Sequence, residues 1–225
     1  MSNNILIIVA HPDDETFGMG GTIARHKFIG DKVFVISMTN GIGARNNHKL
    51  KDIEERKKSS QQASEILEFE WLCQYELPDN QLDAISFLKI VKLIEDAKDI
   101  VKPKFVYTHH YGDLNIDHQI VCKATLTSFR PESDEICKVI RTFEIPSSTD
   151  YSHPTVSNFF SPNMYVNINK FWEKKLLAIK AYENELKPYP NIRSVEGLSG
   201  YTKFRGLSVG LERAEAFQTL REIWS

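Results

Sequence analysis

The sequence predicts an α/β fold of the Rossmann-like type, in which a mainly parallel sheet is flanked by helices. A continuous apolar and β-branched run at residues 5–10 is typical of a strand that is covered on both faces, as strands of parallel sheets are. Strand-like and helix-like segments then alternate up to residue 130, which favours right-handed strand–helix–strand units. Histidines and acidic residues follow two of these strands, at the edge where α/β sheets bind ligands.

Four strands and four helices are expected to alternate in the first part of the chain. The strands are short apolar runs that end at polar or turn-forming residues, and the helices place apolar residues at spacings of three and four. The clearest helical stripe consists of Phe87, Ile90, Val91, Ile94, Ala97 and Val101, and Pro103 ends it. In chain order we expect strand 5–10, helix 22–28, strand 32–40, helix 50–67, strand 71–77, helix 82–101, strand 104–110 and helix 116–130.

The rest of the chain has a weaker pattern. A strand is expected at 135–145, a helix around Trp172 to Tyr182, and a closing helix that carries Phe217, Leu220 and Trp224. Residues 146–163 and 187–209 are long, polar and proline-containing, so we expect loops that shape a pocket. No internal repeat or linker interrupts the sequence, and a single domain over residues 1–225 is the simplest organisation.

Composition excludes several classes of partner. The net charge is −2 and the pI is near 6.4, so no basic surface for nucleic acid is expected. No stretch approaches the ~20 apolar residues that a membrane span requires. The three cysteines are widely spaced, which is typical of free thiols in a reducing compartment, and the expected location is cytoplasmic.

Two polar clusters are expected at the same rim of the sheet, one after the first strand and one after the fourth. Adjacent acids repel one another, so the first cluster requires a positive partner. A divalent cation meets this need, because it accepts both imidazole and carboxylate ligands. The clusters are His11, Asp13, Asp14 and Glu15, and His109, His110, Asp113, Asn115, Asp117 and His118.

The predicted metal is Zn²⁺, with Fe²⁺ as a close competitor, because the clusters offer nitrogen and carboxylate ligands but no thiolate. Two ligands from the first cluster and one from the second would leave an open position for water and one acid as general base. The glycine spacing weakens the case for a dinucleotide-binding loop, since G-x-G-x-x-G from Gly18 would need glycine in place of Ile23. The glycines at 18, 20 and 21 are instead expected to let the backbone turn tightly beside the metal.

Several motifs resemble those of the LmbE-like, or PIG-L, de-N-acetylase family. They are "AHPDDE" at 10–15, "GGTIA" at 20–24 and "DLNIDH" at 113–118, with weaker similarity in "ERKKSSQQASEIL" and "RGLSVGLERAEAF". Members include deacetylases of N-acetylglucosaminyl-phosphatidylinositol and of the mycothiol and bacillithiol pathways. The resemblance implies hydrolysis of an N-acetyl group on a small-molecule amino sugar or sugar conjugate, with release of acetate. It also allows a homo-oligomer.

The resemblance also implies roles for individual residues. By motif position, His11, Asp14 and His118 would hold the metal, and Asp13 would be the general base. Arg56 matches an arginine that contacts substrate in the family. From the residues alone, Asp13 and Asp14 could exchange roles.

One position departs from the family pattern. Many members have histidine where this chain has Asn115, and that histidine stabilises the oxyanion or protonates the leaving group, oriented by an aspartate that corresponds to Asp117. An asparagine amide can donate a hydrogen bond to an oxyanion but cannot supply a proton. Either Asn115 keeps only the electrostatic role, or His109 or His110 supplies the proton.

Glu15 and Arg205 are expected to have supporting roles at the site, and three other functions are compatible with the sequence. Glu15 is expected to hold the metal-binding loop by hydrogen bonds. Arg205 is a second candidate for substrate binding, although it could equally anchor its own loop. The alternatives to a deacetylase are a metal-dependent hydrolase of another amide or ester bond, a nucleotide-binding protein, and a non-catalytic module that binds metal or sugar.

Overall fold

A seven-stranded sheet with helices on both faces runs through the part of the chain that the structure describes. The structure is a computed structural model, and it describes residues 2–44, 49–133, 135–153 and 155–224. The strands are β1 (Asn4–Val9), β2 (Lys32–Thr39), β3 (Glu70–Leu77), β4 (Phe105–His109), β5 (Val139–Phe143), β6 (Met164–Asn167) and β7 (Ala214–Glu222). The α-helices are α1 (Asp14–Phe28), α2 (Leu50–Leu67), α3 (Phe87–Val101), α4 (Ile116–Ser128), α5 (Trp172–Ala181) and α6 (Val195–Leu207).

The strand order explains why the two polar clusters meet. Across the sheet the order is β3-β2-β1-β4-β5-β7-β6, and the first five of these strands are parallel. β1 pairs directly with β4, with Ile7 opposite Tyr107, so both strands end at the same edge. The predicted Rossmann-like, mainly parallel sheet is confirmed.

Both faces of the sheet are covered by apolar helix stripes. Alternate side chains of β1 enter two separate cores, as the two-residue period of a strand requires. Ile5, Ile7 and Val9 pack with α1, α2 and α5, whereas Leu6, Ile8 and Ala10 pack with α3 and α4. The predicted stripe of α3 is buried in the second of these cores.

The first helix differs from its prediction. It begins at Asp14 rather than at residue 22, and it is broken at Met19, which has φ −143° and ψ 24°. The glycines therefore lie inside the helix, where they allow close packing. A Cβ on Gly18 would lie 2.5 Å from the ring of Phe143, and one on Gly21 would lie 2.8 Å from Ile168. The expectation that these glycines form a loop beside the metal is wrong.

A buried ion pair, Glu215–Lys175, binds the backbone on both sides of the break in α1. The carboxylate of Glu215 accepts the N–H groups of Gly21 (2.9 Å) and Thr22 (2.6 Å) and the Thr22 hydroxyl (2.6 Å). Lys175 Nζ donates to Glu215 (2.6 Å) and to the carbonyl of Phe17 (2.8 Å). These contacts satisfy backbone groups that a continuous helix would have paired internally.

The expected closing helix is wrong, because residues 214–222 form the strand β7. This segment is rich in alanine, glutamate, leucine and arginine, which favour helix, and its apolar spacing suggested one. Pairing overrides that preference: β7 lies antiparallel between β5 and β6, and Phe217 is opposite both Phe143 and Met164. β6 was not predicted at all.

The second expected loop is also partly wrong, because it contains α6. Ser194 caps this helix by accepting the N–H of Gly197 at 2.9 Å. The first expected loop, 146–163, is largely irregular, and its residue 154 lies outside the described residues. Among the described helices, none is both long enough and apolar enough to cross a membrane.

Candidate metal centre and substrate pocket

A tight turn between β1 and α1 presents the first polar cluster. Asp13 has φ +147° and ψ −26°, a conformation that costs a non-glycine residue energy. Glu15 holds the turn, since its carboxylate accepts the Asp13 N–H (3.1 Å) and the hydroxyls of Thr16 (2.6 Å) and Tyr182 (3.1 Å). Burial raises the pKa of Glu15 to about 7. In this turn the side chain of Asp14 contacts His11, whereas the side chain of Asp13 contacts Arg56.

Three side chains of the two clusters converge on one point. His11 Nδ1 lies 3.2 Å from Asp14 Oδ2 and 3.2 Å from His118 Nε2, and Asp14 Oδ2 lies 3.4 Å from His118 Nε2. Ligand atoms around a tetrahedral zinc, each at about 2.0–2.2 Å from it, are spaced by about 3.3–3.6 Å. The spacing and the donor types of these three side chains therefore fit a small divalent cation. The three residues are those that the sequence analysis named as candidate ligands.

The ionisation of each member of this triad depends on the charges of its neighbours. Burial lowers the pKa of His118, but the carboxylates of Asp14 and Asp113 outweigh it and raise that pKa to about 9. Burial alone would raise the pKa of Asp14, yet His118 and His11 hold it well below its usual value. A carboxylate that stays ionised between imidazoles is what cation binding requires.

The second nitrogen of each of the two candidate histidine ligands faces carboxylates. His11 Nε2 lies 3.1 Å from Asp79 Oδ1 and 3.4 Å from Asp117 Oδ2. His118 Nδ1 lies 3.1 Å from Asp113 Oδ1. Such carboxylates fix the tautomer and the ring orientation of metal-binding histidines. Asp117 thus contacts His11, and Asp79, which we did not predict, belongs to the turn after β3 at the same edge of the sheet.

The proposed base, Asp13, lies in a separate cluster of buried charges. Arg56 NH1 lies 3.0 Å from Asp13 Oδ2 as an ion pair and donates to the carbonyl of Pro12 (2.7 Å), and Arg56 NH2 donates to Glu185. Arg193 NH1 lies 3.8 Å from both Asp13 Oδ2 and Glu185 Oε2. Burial raises the pKa of Asp13, and the two guanidinium groups oppose that effect.

The triad and Asp13 open into a common pocket of about 370 Å³. Both predicted clusters contribute to its wall, together with segments after β2 and β3 and residues from the second half of the chain. The lining residues are His11, Asp13, Asp14, Gly41, Ala44, Arg56, Asp79, Asn80, Asn115, His118, Ser148, Glu185 and Arg193. Glu185 and Arg193 were not predicted, although Arg193 belongs to the segment 187–209 that we expected to shape the pocket.

Residues 6–129 match the model of one protein family, described as PIG-L, GlcNAc-PI de-N-acetylase. This match covers more than half of the chain. The chain belongs to the PIG-L family.

This PIG-L protein is similar to a curated protein in sequence and to solved structures in fold. It is 27% identical over 189 residues to the uncharacterized deacetylase YaiS of Escherichia coli (strain K12), covering 80% of this chain and 90% of YaiS. It also resembles N,N'-diacetylchitobiose deacetylase from Pyrococcus horikoshii, with 21% identity, a TM-score of 0.76, and coverage of 96% of this chain and 83% of the other. GalB, the 4-carboxy-2-hydroxymuconate hydratase from Pseudomonas putida KT2440, is similar in structure too, with 19% identity, a TM-score of 0.75, and coverage of 100% and 98%. A hydratase on the same fold means that the activity must be argued from the site.

The position where this PIG-L chain departs from the family motif lies at the pocket rim. Asn115 Oδ1 accepts the N–H groups of Asp117 (2.8 Å) and His118 (3.4 Å), so it caps α4. Its amide Nδ2 donates to Asn80 Oδ1 (3.0 Å). The cap fixes the first turn of α4, which carries His118. Nδ2 is the atom of Asn115 that can donate a hydrogen bond at the pocket rim.

The structure does not bring every predicted residue of the PIG-L site together. His110 Nε2 lies 2.9 Å from the carbonyl of Asn158, which places this imidazole against the loop 146–163 rather than in the pocket lining. Arg205 Nε donates to Glu144 (2.8 Å), at a second, small cavity of about 20 Å³. Both side chains therefore have partners within the fold that are separate from the metal triad.

The remaining histidine candidate, His109, lies next to the triad, but its ring already has partners within the fold. Its Nε2 accepts the N–H of Ala10 at 2.9 Å, and its ring stacks on His118 with centroids 3.9 Å apart. Burial, reinforced by the nearby His118, lowers its pKa to about 3. A neutral imidazole whose Nε2 accepts a backbone hydrogen bond cannot donate a proton from that atom.

Proposed function

We propose that this protein is a metal-dependent N-deacetylase, which hydrolyses the acetamide of an N-acetylated amino sugar or sugar conjugate and releases acetate. The convergence of His11 Nδ1, Asp14 Oδ2 and His118 Nε2 within 3.2–3.4 Å of one another is the observation that carries this proposal. Membership of a de-N-acetylase family and similarity to deacetylases support it.

The proposed cofactor is Zn²⁺, and Fe²⁺ is the alternative with the same ligand preference. His11, Asp14 and His118 would hold it, with Asp79, Asp117 and Asp113 behind the two imidazoles. When bound, such a cation supplies Lewis acidity, which lowers the pKa of a water molecule and polarises a carbonyl oxygen.

Asp13 is the proposed proton carrier. It is outside the ligand triad, adjacent to it in sequence, and held in place by Arg56. In the proposed reaction Asp13 takes a proton from the attacking water, the C–N bond breaks, and the nitrogen leaves as an amine after protonation. Asp13 can return the proton itself, which would remove the need for the histidine that Asn115 replaces. The Asn115 amide is the proposed donor to the oxyanion, and Arg56 is a proposed substrate contact at the pocket wall.

Metal analysis combined with an acetate assay tests the proposal. The purified protein should contain about one Zn²⁺ or Fe²⁺ per chain, and it should release acetate from at least one member of a panel of N-acetyl sugars, diacetylchitobiose, nucleotide sugars and glycan fragments. Asp13→Asn should keep the metal and lose 10²- to 10⁴-fold in turnover, the usual contribution of a general base.

Three outcomes would contradict parts of this proposal. A protein that binds no metal after reconstitution excludes the metal-dependent mechanism. A metal-loaded protein that hydrolyses nothing in the panel favours a binding module. Loss of metal in Asp13→Asn would mean that Asp13 and Asp14 have the opposite roles.

A further inference from the structure

The pocket contains two arginines whose hydrogen-bonding states differ. Arg56 uses both terminal nitrogens, since NH1 donates to the carbonyl of Pro12 and pairs with Asp13, and NH2 donates to Glu185. Arg193 donates only from Nε, to Ser147 Oγ (3.0 Å) and more weakly to the carbonyl of Pro146 (3.4 Å). Its terminal nitrogens donate no hydrogen bond to any residue that the structure describes, and the nearest carboxylate oxygens are 3.8 Å away.

The guanidinium of Arg193 is nevertheless held in one orientation. Its centre lies 4.9 Å from the ring centroid of Phe17, which is buried at the start of α1. The Arg193 backbone is fixed too, because its N–H donates to Asn191 Oδ1 (2.9 Å) and its carbonyl accepts the N–H of Lys187 (3.3 Å). The side chain is 18% exposed and lines the pocket. A rigid, incompletely bonded guanidinium at a pocket wall is organised for a ligand before the ligand arrives.

Charge indicates which kind of ligand oxygen fits. Among the described residues around this guanidinium, Arg56 and Arg193 are balanced by the carboxylates of Asp13 and Glu185. Within this described set the charges cancel, so there is no surplus positive charge that would favour a phosphate or carboxylate group. A neutral oxygen that accepts one or two hydrogen bonds satisfies the donors without disturbing this balance.

We propose that Arg193 is a specificity-determining residue that donates to a ring hydroxyl of the amino sugar. The inference rests on the proposed function, in which the sugar occupies this pocket. It assigns the sugar contact to a residue outside the recognised motifs, in the segment 187–209, beside the general base but not part of the proton transfer.

The test measures binding of the product, which cannot turn over. Glucosamine and glucosamine 6-phosphate are titrated by calorimetry into the zinc-loaded full-length wild type, Arg193→Met and Arg193→Lys. We expect Kd for glucosamine to rise 10- to 100-fold in Arg193→Met and less in Arg193→Lys, because charged-group hydrogen bonds contribute in this range. The same factor is expected for the phosphate, since the contact is to a hydroxyl that both ligands share.

A matched control separates this role from a structural one. Arg213 lies in the same half of the chain, is buried, and donates to the carbonyl of Ser199 (3.0 Å) and to Thr202 (3.1 Å) outside the pocket lining. Arg213→Lys should leave Kd unchanged, and all variants should retain zinc and a cooperative thermal transition. With an acetylated substrate, Arg193→Met should raise KM with less than a threefold change in kcat.

Each remaining outcome has a defined meaning. Unchanged glucosamine binding in Arg193→Met, or a wild type that binds no glucosamine, overturns the inference. A larger loss for the phosphate than for glucosamine also overturns it, because Arg193 would then bind an anion. A fall in kcat with unchanged Kd would assign Arg193 to positioning Asp13. Arg193-dependent binding without acetate release supports the inference and contradicts the deacetylase proposal.

Discussion

The buried pair Glu215–Lys175 yields the sharpest stability prediction. Both side chains are at most 3% exposed, and the carboxylate accepts four hydrogen bonds, from Gly21, from the backbone and side chain of Thr22, and from Lys175. Glu215→Gln removes the charge opposite Lys175 and replaces one acceptor oxygen by an amide that cannot accept. Breaking a buried pair on one side costs about 3–5 kcal/mol. For a domain of this size that loss lowers Tm by about 6–20 °C.

The adjacent residue of α5 supplies the control. Lys174 pairs with Glu68 at the surface, where the side chains are 34% and 60% exposed, and exposed pairs contribute about 0–1 kcal/mol. The assay is urea unfolding followed by circular dichroism, with Glu215→Gln compared with Glu68→Gln. If the two variants differ by less than 1 kcal/mol, the argument that Glu215 closes the break in α1 is refuted. Adding Lys175→Met to Glu215→Gln should recover part of the loss, because no unpaired charge then remains buried.

Three further predictions concern the metal site and the helix that begins there. Asp79→Asn should weaken zinc affinity about 10- to 100-fold in a chelator competition, because His11 loses an orienting carboxylate; unchanged affinity would contradict that role. Gly18→Ala should cost about 1–3 kcal/mol in urea unfolding through overlap with Phe143, whereas Gly200→Ala, with nothing within 4 Å of the added Cβ, should be neutral or stabilising. Burial raises the pKa of Glu15 from 4.5 to about 7, so its contribution is present below pH 4.5 and is lost as the pH rises through 7. In the metal-free protein, the stability of wild type relative to Glu15→Gln should therefore fall by up to about 1.4 kcal/mol per pH unit in that window, and a pH-independent difference would contradict the assignment.

The first half of the fold was predictable because its signals are local. The apolar run of β1 and the helical stripe of α3 are periodic patterns that each element requires in order to bury one face or two. Parallel connectivity then places the ends of β1 and β4 at one edge, so the meeting of His11, Asp14 and His118 followed from strand order.

The second half of the fold depends on contacts that no local pattern encodes. Residues 214–222 have the composition of a helix, and they form β7 because β5 and β6 offer pairing partners on both sides. The glycines of α1 show the same effect. Gly18 allows close contact with Phe143 and Gly21 with Ile168, and both partners are more than a hundred residues away in sequence.

The motifs in the sequence thus predict the residues of the triad, because residue types and their positions at the ends of strands are local properties, whereas the pairing of β1 with β4 that brings them together is a property of the folded sheet. Only tertiary packing brings Asp79 and Asp117 to Nε2 of His11, pairs Arg205 with Glu144, and brings Arg193 close to Asp13. The physical reason is that hydrogen-bond partners and burial are properties of residues brought together from distant segments. A side chain's type states what it can donate or accept, and only its neighbours in the folded chain determine whether that capacity is already used.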